Sequence, residues 1–251
     1  MTATPAEVSH ESAGAEPPAV PSMSPRRSRF RPVALRLGKA ALVVLAVYYA
    51  LCVVLLVAYR FVAPPITGVQ LERRVEAWIA RRPDDQEKTY VTYSRIPTHV
   101  ARAVVAAEDG RFWRHWGFDF EEMRAASADV LDGELPRGAS TITQQLMKNL
   151  FGTTSRNPVR KLFDMALTPV AELVLGKERI LELYLNNVEW APGVFGIEAA
   201  ARHHYGTGVR GLSRSQAAGL AALLPNPRGR TPATTSNYRA EILRRMARRG
   251  W

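Results

Sequence analysis

The longest apolar run in the chain is Ala40 to Tyr59, AALVVLAVYYALCVVLLVAY, which is 20 residues without a charge. At a rise of about 1.5 Å per residue it spans roughly 30 Å, the hydrocarbon thickness of a bilayer, and so predicts a transmembrane helix. A cleaved leader has a shorter apolar core that ends at small residues, whereas Arg60 and Pro64-Pro65 follow here. Beyond this run apolar residues recur at three- and four-residue spacing, and long alternating runs are absent. The spacing predicts helices over 97–107, 121–132, 141–150, 159–175, 178–186, 194–204, 213–223 and 237–249. Pro169 falls inside one of them and predicts a kink near 165–169. The stretch TYVTYSRIP at 89–97 suits a short strand. The class is mainly α.

Charge orients the span. Arg26, Arg27, Arg29, Arg31, Arg36 and Lys39 precede it and only Arg60 stands close behind. The N-terminus is therefore expected in the cytoplasm, with everything after residue 60 outside. Residues 1–25 are rich in Ala, Pro, Ser and Glu, with too few large apolar side chains to offset the entropy of ordering, and read as disordered. Residues 61–251 carry 27 basic and 20 acidic side chains, so the globular part favours an anionic partner: lipid phosphate, nucleic acid or a pyrophosphorylated substrate. The only cysteine, Cys52, lies in the apolar run, which excludes an intramolecular disulfide and a cysteine-ligated zinc. His203-His204 has no acidic or cysteine neighbour suited to a metal site.

Two segments carry candidate chemistry. In EDGRFWRHWGFD, residues 108–119, Glu108 and Asp109 stand where a helix gives way to a loop, a position suited to a general base facing a cleft. The competing reading is a solvated helix end with Phe112, Trp113 and Trp116 packed beneath it and His115 in a structural hydrogen bond. In GASTITQQLMKNLF, residues 138–151, Thr141 and Gln144 fit a capping box, with Ile142, Leu146 and Leu150 on the buried side. The free N–H groups of that helix start, followed by Lys148, Arg156, Arg160 and Lys161, suit a phosphate. A solvated or lipid-facing basic surface explains the charges equally well. Asp164 lies one turn after Arg160, an i, i+4 acid–base pair that becomes an orienting group if it is buried.

These segments, with RKLFD at 160–164, GKERILELYLNNVEWAPGVFGIEAAARHHYG at 176–206 and AAGLAALLPNPRGR at 217–230, resemble glycosyltransferase family 51 in order and spacing. Within that family the resemblance is to the monofunctional biosynthetic peptidoglycan transglycosylases. It covers nearly all of residues 95–250 and implies a lysozyme-like, mainly α domain behind a single N-terminal transmembrane helix. The implied activity is polymerisation of lipid II into glycan strands by inverting transfer, with release of undecaprenyl pyrophosphate. Glu108 matches the essential base and Gln144 a cleft-lining glutamine. Lys148 and Arg156 match cations flanking the reacting centre, and Arg160 with Lys161 the pair that holds the pyrophosphate. Asp109, Ser140 and Thr141 complete the expected substrate-binding set. Asp164 replaces the family's second catalytic glutamate with a side chain one carbon–carbon bond shorter, Gly176 stands where serine is common, and Trp190-Ala191-Pro192 varies a loop. In ERILELYLNN, Ile180, Leu183 and Tyr184 read as core, and Glu182 and Asn186 as braces of the cleft.

The expected partition is a disordered basic cytoplasmic tail over 1–39, a transmembrane helix over 40–60, a linker or membrane-proximal segment over 61–94, and the glycosyltransferase domain over 95–251. The expected partners are lipid II, the growing glycan chain and the membrane, with room for other cell-wall synthesis proteins and no role for nucleic acid. No cofactor is required and no metal site is expected in the protein, although a divalent cation is compatible with the chemistry. The place expected is the bacterial inner membrane, with the catalytic domain periplasmic. Neither S-x-x-K nor K-T-G occurs, so no transpeptidase activity is expected. A lysozyme-like hydrolase and a membrane-tethered scaffold are the alternatives. The basic cluster and anchor argue against the first, and the Glu108 segment against the second.

Overall fold

The computed structural model describes residues 1–2, 30–131, 138, 140–155 and 157–251. They fall into two compact units, one up to Val44 and one over Leu45–Trp251. The expectation of disorder over residues 1–25 lies almost wholly outside the described residues. Helix α1, Phe30–Tyr59, starts ten residues before the expected boundary, so the last part of the expected tail is helical. Its Arg36–Tyr59 portion is long and apolar enough to cross a membrane.

Nine further helices follow among the described residues: α2 Gly68–Ile79, α3 Thr98–Glu108, α4 Phe120–Leu131, α5 Ile142–Phe151, α6 Pro158–Leu175, α7 Lys177–Asn187, α8 Ile197–Tyr205, α9 Arg214–Ala221 and α10 Ser236–Arg248. Helix α2 lies in the stretch expected as a linker. A capping box of Thr67 with Gln70 starts it, and it packs on α5. The expected strand at 89–97 is absent. Val91 is instead held by both ends of the Asn186 amide at 2.8 Å, and Tyr93–Arg95 form a 3-10 turn. The only sheet among the described residues is small: β1 Glu87–Lys88 runs parallel to β3 Val194–Phe195, which pairs antiparallel with β2 Glu189–Ala191. That hairpin occupies the loop around Trp190 and the first residues of the helix expected over 194–204.

Helix α5 is the hub of the larger unit, packing on α2, α6 and α7, while α3, α9 and α10 form a second layer. Ile142, Leu146 and Leu150 are buried as the spacing predicts, and so are Ile180, Leu183 and Tyr184 of α7. Asn157 caps α6 and Pro158 takes its first turn, where a missing N–H costs nothing. The helix remains a single element through Pro169. Gly176, at φ 73°, ends α6 and begins α7, a backbone conformation that favours glycine. The second half of α1 is part of this unit. Tyr48 donates to the Phe151 carbonyl at 2.6 Å and stacks on Phe163, Tyr49 donates to the Ala166 carbonyl at 3.2 Å, and Cys52 and Leu56 are buried.

Candidate active site

Glu108 is the last residue of α3, and the start of α5 is clamped beside it by Asp109. One Asp109 carboxylate oxygen accepts from the backbone N–H of Ile142 at 3.0 Å, and the other pairs with His115 Nε2 at 2.8 Å. The other ring nitrogen of His115, Nδ1, accepts from the Gly117 N–H at 3.1 Å, so this histidine is structural. Thr141 closes the clamp: its hydroxyl donates to the Gly117 carbonyl at 2.7 Å and accepts from the Gln144 N–H at 3.3 Å. Of the three aromatic residues expected under this loop, only Phe112 is buried. Trp113 and Trp116 are 46% and 73% exposed.

Glu108 is half-buried. Burial pushes its pKa up, and a hydrogen bond donated by the Gln145 amide at 2.8 Å, with the more distant charges of Lys148 and Arg230, offsets part of that rise. The Gln145 oxygen in turn accepts from the hydroxyl of Tyr184 at 2.8 Å, a fully buried tyrosine.

Two clefts meet at Glu108. The larger, about 940 Å³, runs past Asp109, Gly110, Ser140 and Thr141 toward the C-terminal half of α10. The smaller, about 480 Å³, contains Gln144, Gln145, Lys148, Arg160, Lys161 and Asp164. Ala107, Glu108, Ser140 and Tyr238 border both. Tyr238, from α10, donates to the Ala107 carbonyl at 3.1 Å and so joins the last helix to the end of α3.

The smaller cleft is a cation site. Lys148 has no hydrogen-bond or ion-pair partner among the described residues. Desolvation, then the nearby Arg160 charge, lowers its pKa, with Asp164 and Glu108 acting the other way. Arg160 is tied to Asp164 at 2.7 Å. Asp164 is buried and its second oxygen, Oδ1, has no hydrogen-bond partner among the described residues. Burial raises it to about 6 in spite of Arg160 and Lys148. Arg156 lies outside the described residues.

Comparison with known proteins places this arrangement. The family model described as Transglycosylase matches residues 75–248. The chain belongs to the transglycosylase family. Among its relatives, a biosynthetic peptidoglycan transglycosylase of Pseudomonas fluorescens (strain Pf0-1) is 48% identical over 176 residues, 70% of this chain and 73% of the relative. Proteins of the same description from Ectopseudomonas mendocina (strain ymp) and Stutzerimonas stutzeri (strain A1501) are 44% and 42% identical. The former match covers 78% of this chain and 83% of the relative, the latter 87% and 90%. The family match begins inside α2, so part of the segment expected as a linker belongs to it.

Within this transglycosylase the expected site residues separate. Glu108, Ser140, Gln144, Lys148, Arg160, Lys161 and Asp164 come together around the smaller cleft. Asp109 and Thr141 border the larger one, but their polar atoms serve the protein. Of the N–H groups at the start of α5, expected to hold a phosphate, that of Ile142 is taken by Asp109 and that of Gln144 by the Thr141 hydroxyl. Glu182 and Asn186 line neither cleft. They pin the segment at 90–93, Glu182 through Tyr90 and the Tyr93 N–H, Asn186 through Val91. One group of metal-type ligands, Asp109, His115 and Asp119, gathers within 4.8 Å among the described residues. The Asp109 atoms are committed to Ile142 and His115, and Asp119 is clasped by Arg111, so this donor set does not fit an ion.

Sequence reasoning missed Gln145, Tyr184 and Tyr238. Gln144 and Gln145 are adjacent, and the capping box already identified explains the difference: it turns Gln144 back to the Thr141 N–H at 3.1 Å, leaving Gln145 to reach Glu108. Tyr184 and Tyr238 carried no signal, being apolar-face residues of distant helices.

Proposed function

We propose that this transglycosylase is a peptidoglycan glycosyltransferase that joins lipid II units into glycan strands by inverting transfer, anchored by α1. The observation that carries the reading is a half-buried carboxylate of raised pKa, Glu108, at the junction of two clefts, one of them lined by cations. Glu108 takes the proton from the 4-hydroxyl of the acceptor sugar as that oxygen attacks C1 of the donor. The bond from C1 to the diphosphate breaks, and undecaprenyl pyrophosphate leaves with the electron pair. Lys148, Arg160 and Lys161 meet the developing charge from fixed positions in a partly desolvated site. Asp164 holds Arg160 in place. A cation cleft supplies this charge without a cofactor.

The Arg36–Tyr59 helix supports a single-pass anchor, and the cations ahead of it support a cytoplasmic N-terminus with the catalytic domain outside. Packing of Tyr48 and Tyr49 on α5 and α6 holds the cation cleft close to the bilayer, where a polyprenyl substrate resides. Val159, Leu162 and Leu173 of α6 are exposed apolar side chains in keeping with that placement. The absence of S-x-x-K and K-T-G supports an activity confined to glycosyl transfer. Purified full-length protein in detergent, given labelled lipid II, is expected to yield polymer and undecaprenyl pyrophosphate. Free disaccharide–peptide as the product would make it a hydrolase and overturn the reading.

A further inference from the structure

The larger cleft has walls of opposite charge. Asp119, Glu121 and Glu122 line one part of it, with Arg111 among them paired to Asp119 and Glu121, and Arg245, Arg248 and Arg249, at the end of α10, line another. The stretch from Glu241 to Arg249 holds four arginines and a single acid. Glu241 is shared by Arg244 at 2.7 Å and by Arg245 and Arg248 at 3.2 Å each. Arg249 has no acidic partner among the described residues. One of its terminal nitrogens donates only to the Arg245 carbonyl at 3.3 Å, and the guanidinium lies 5.6 Å from the centre of the Trp251 ring. The other terminal nitrogen rests against Gly110, so close that a methyl group there would displace it. This unneutralised fork therefore borders the cleft beside Gly110, which is two residues along the chain from Glu108. Partial burial, then the like charges of Arg245, Arg248 and Arg114, lower its pKa.

We propose that Arg249, with Arg248 beside it, forms a carboxylate-binding subsite for the peptide branch of the sugar being joined. This rests on the glycosyltransferase reading and adds to it a determinant of substrate choice. A guanidinium fork matches a carboxylate in a two-point contact. The diphosphate has its own cations in the smaller cleft, and the acidic wall of the larger one repels a multiply charged group. The same wall suits a branch that carries an amine as well as carboxylates.

The test uses full-length protein and two lipid-linked disaccharide substrates, one with its natural peptide and one whose peptide carboxyls are converted to amides. Arg249→Ala is expected to lower the ratio of kcat/KM for intact over amidated substrate about tenfold, the size of one lost charge-assisted contact, and mainly through KM. Arg249→Lys should recover part of the ratio. Arg244→Ala, which does not border the cleft, should leave it as in wild type. An unchanged ratio in Arg249→Ala overturns the subsite, and a parallel loss on both substrates assigns the arginine to the diphosphate or the glycan instead. Binding of soluble muropeptides lacking lipid and diphosphate, followed by NMR, separates this from the parent reading. Wild type that favours the intact over the amidated muropeptide without polymerising lipid II would keep the subsite and sink the glycosyltransferase assignment. Polymerisation without that preference would do the reverse.

Discussion

Gln145 donates its side-chain amide to the Glu108 carboxylate at 2.8 Å, the only side-chain hydrogen bond Glu108 receives among the described residues. Because this bond favours the charged form, its removal in Gln145→Ala raises the Glu108 pKa beyond its already elevated position. The acid limb of the kcat/KM profile should move to higher pH, and the rate at neutral pH should fall roughly tenfold, the equivalent of one hydrogen bond to a charged group. Tyr184→Phe, which frees the Gln145 oxygen, should shift the limb in the same direction by less.

Glu108→Gln removes the base while keeping the side chain's size. Polymerisation should drop by at least about 10²-fold, within the usual range for a lost general base. Stability should not fall with it. The folded protein holds the Glu108 proton more tightly than the unfolded chain, so the ionised carboxylate is a destabilising group above the ordinary glutamate pKa of 4.5, and a neutral amide escapes that cost. At pH 7 the thermal midpoint of Glu108→Gln should equal or exceed that of wild type. A clear decrease would show that the charge is held by contacts stronger than those seen.

Most of the helices were legible because each buries one stripe of a 3.6-residue repeat, and the boundaries of α3, α4, α5, α6, α7 and α10 fall within a residue of the spacing prediction. The short sheet was not legible. Glu87–Lys88 pairs with a strand more than 100 residues away, and two-residue strands carry no alternation to read. Within the site, Glu108 drew attention at a helix-to-loop boundary and Lys148, Arg160 and Asp164 by charge and spacing. A solvated surface explains those readings as well, and it was the family resemblance that gave these residues their roles. What charge could not reveal is which of two adjacent glutamines faces the acid, or that the start of α5 is filled by the protein's own Asp109. Both depend on side-chain direction within a capped first turn. The subsite at Arg249 was equally hidden, since α10 reads as an ordinary basic helix end until it is placed against Gly110.

Thr141 links helix capping to catalysis. Its hydroxyl satisfies the Gln144 N–H and the Gly117 carbonyl together, so Thr141→Ala loses a cap and leaves a buried carbonyl without its donor. A cap alone is worth about 1 kcal/mol, and the orphaned carbonyl adds to that. For a domain of this size each kcal/mol lowers the melting midpoint by roughly 2–4 °C, so a drop of several degrees is expected by calorimetry. Thr141→Ser, which keeps the hydroxyl, should melt close to wild type.

Asp164 gives the sharpest pH prediction. Its pKa rises from 3.8 to about 6 because burial outweighs the attraction of Arg160 and Lys148. With the folded-state value above the unfolded one, the protonated acid is the form folding prefers, and its contribution is complete below about pH 4 and lost as pH rises through 6. The wild-type melting midpoint should therefore carry a decline between pH 4 and 7 that Asp164→Asn lacks, because asparagine does not ionise. An equal slope in both proteins would mean that Asp164 titrates normally. In activity, Asp164→Ala releases Arg160 from its 2.7 Å tether and should lower kcat/KM about tenfold, the cost of one charged contact. Asp164→Glu keeps a carboxylate for Arg160 and should stay within about threefold of wild type, well under the cost of one such contact. If the two variants lose activity equally, Asp164 does more than tether Arg160, and its Oδ1, which has no partner among the described residues, becomes the atom to examine.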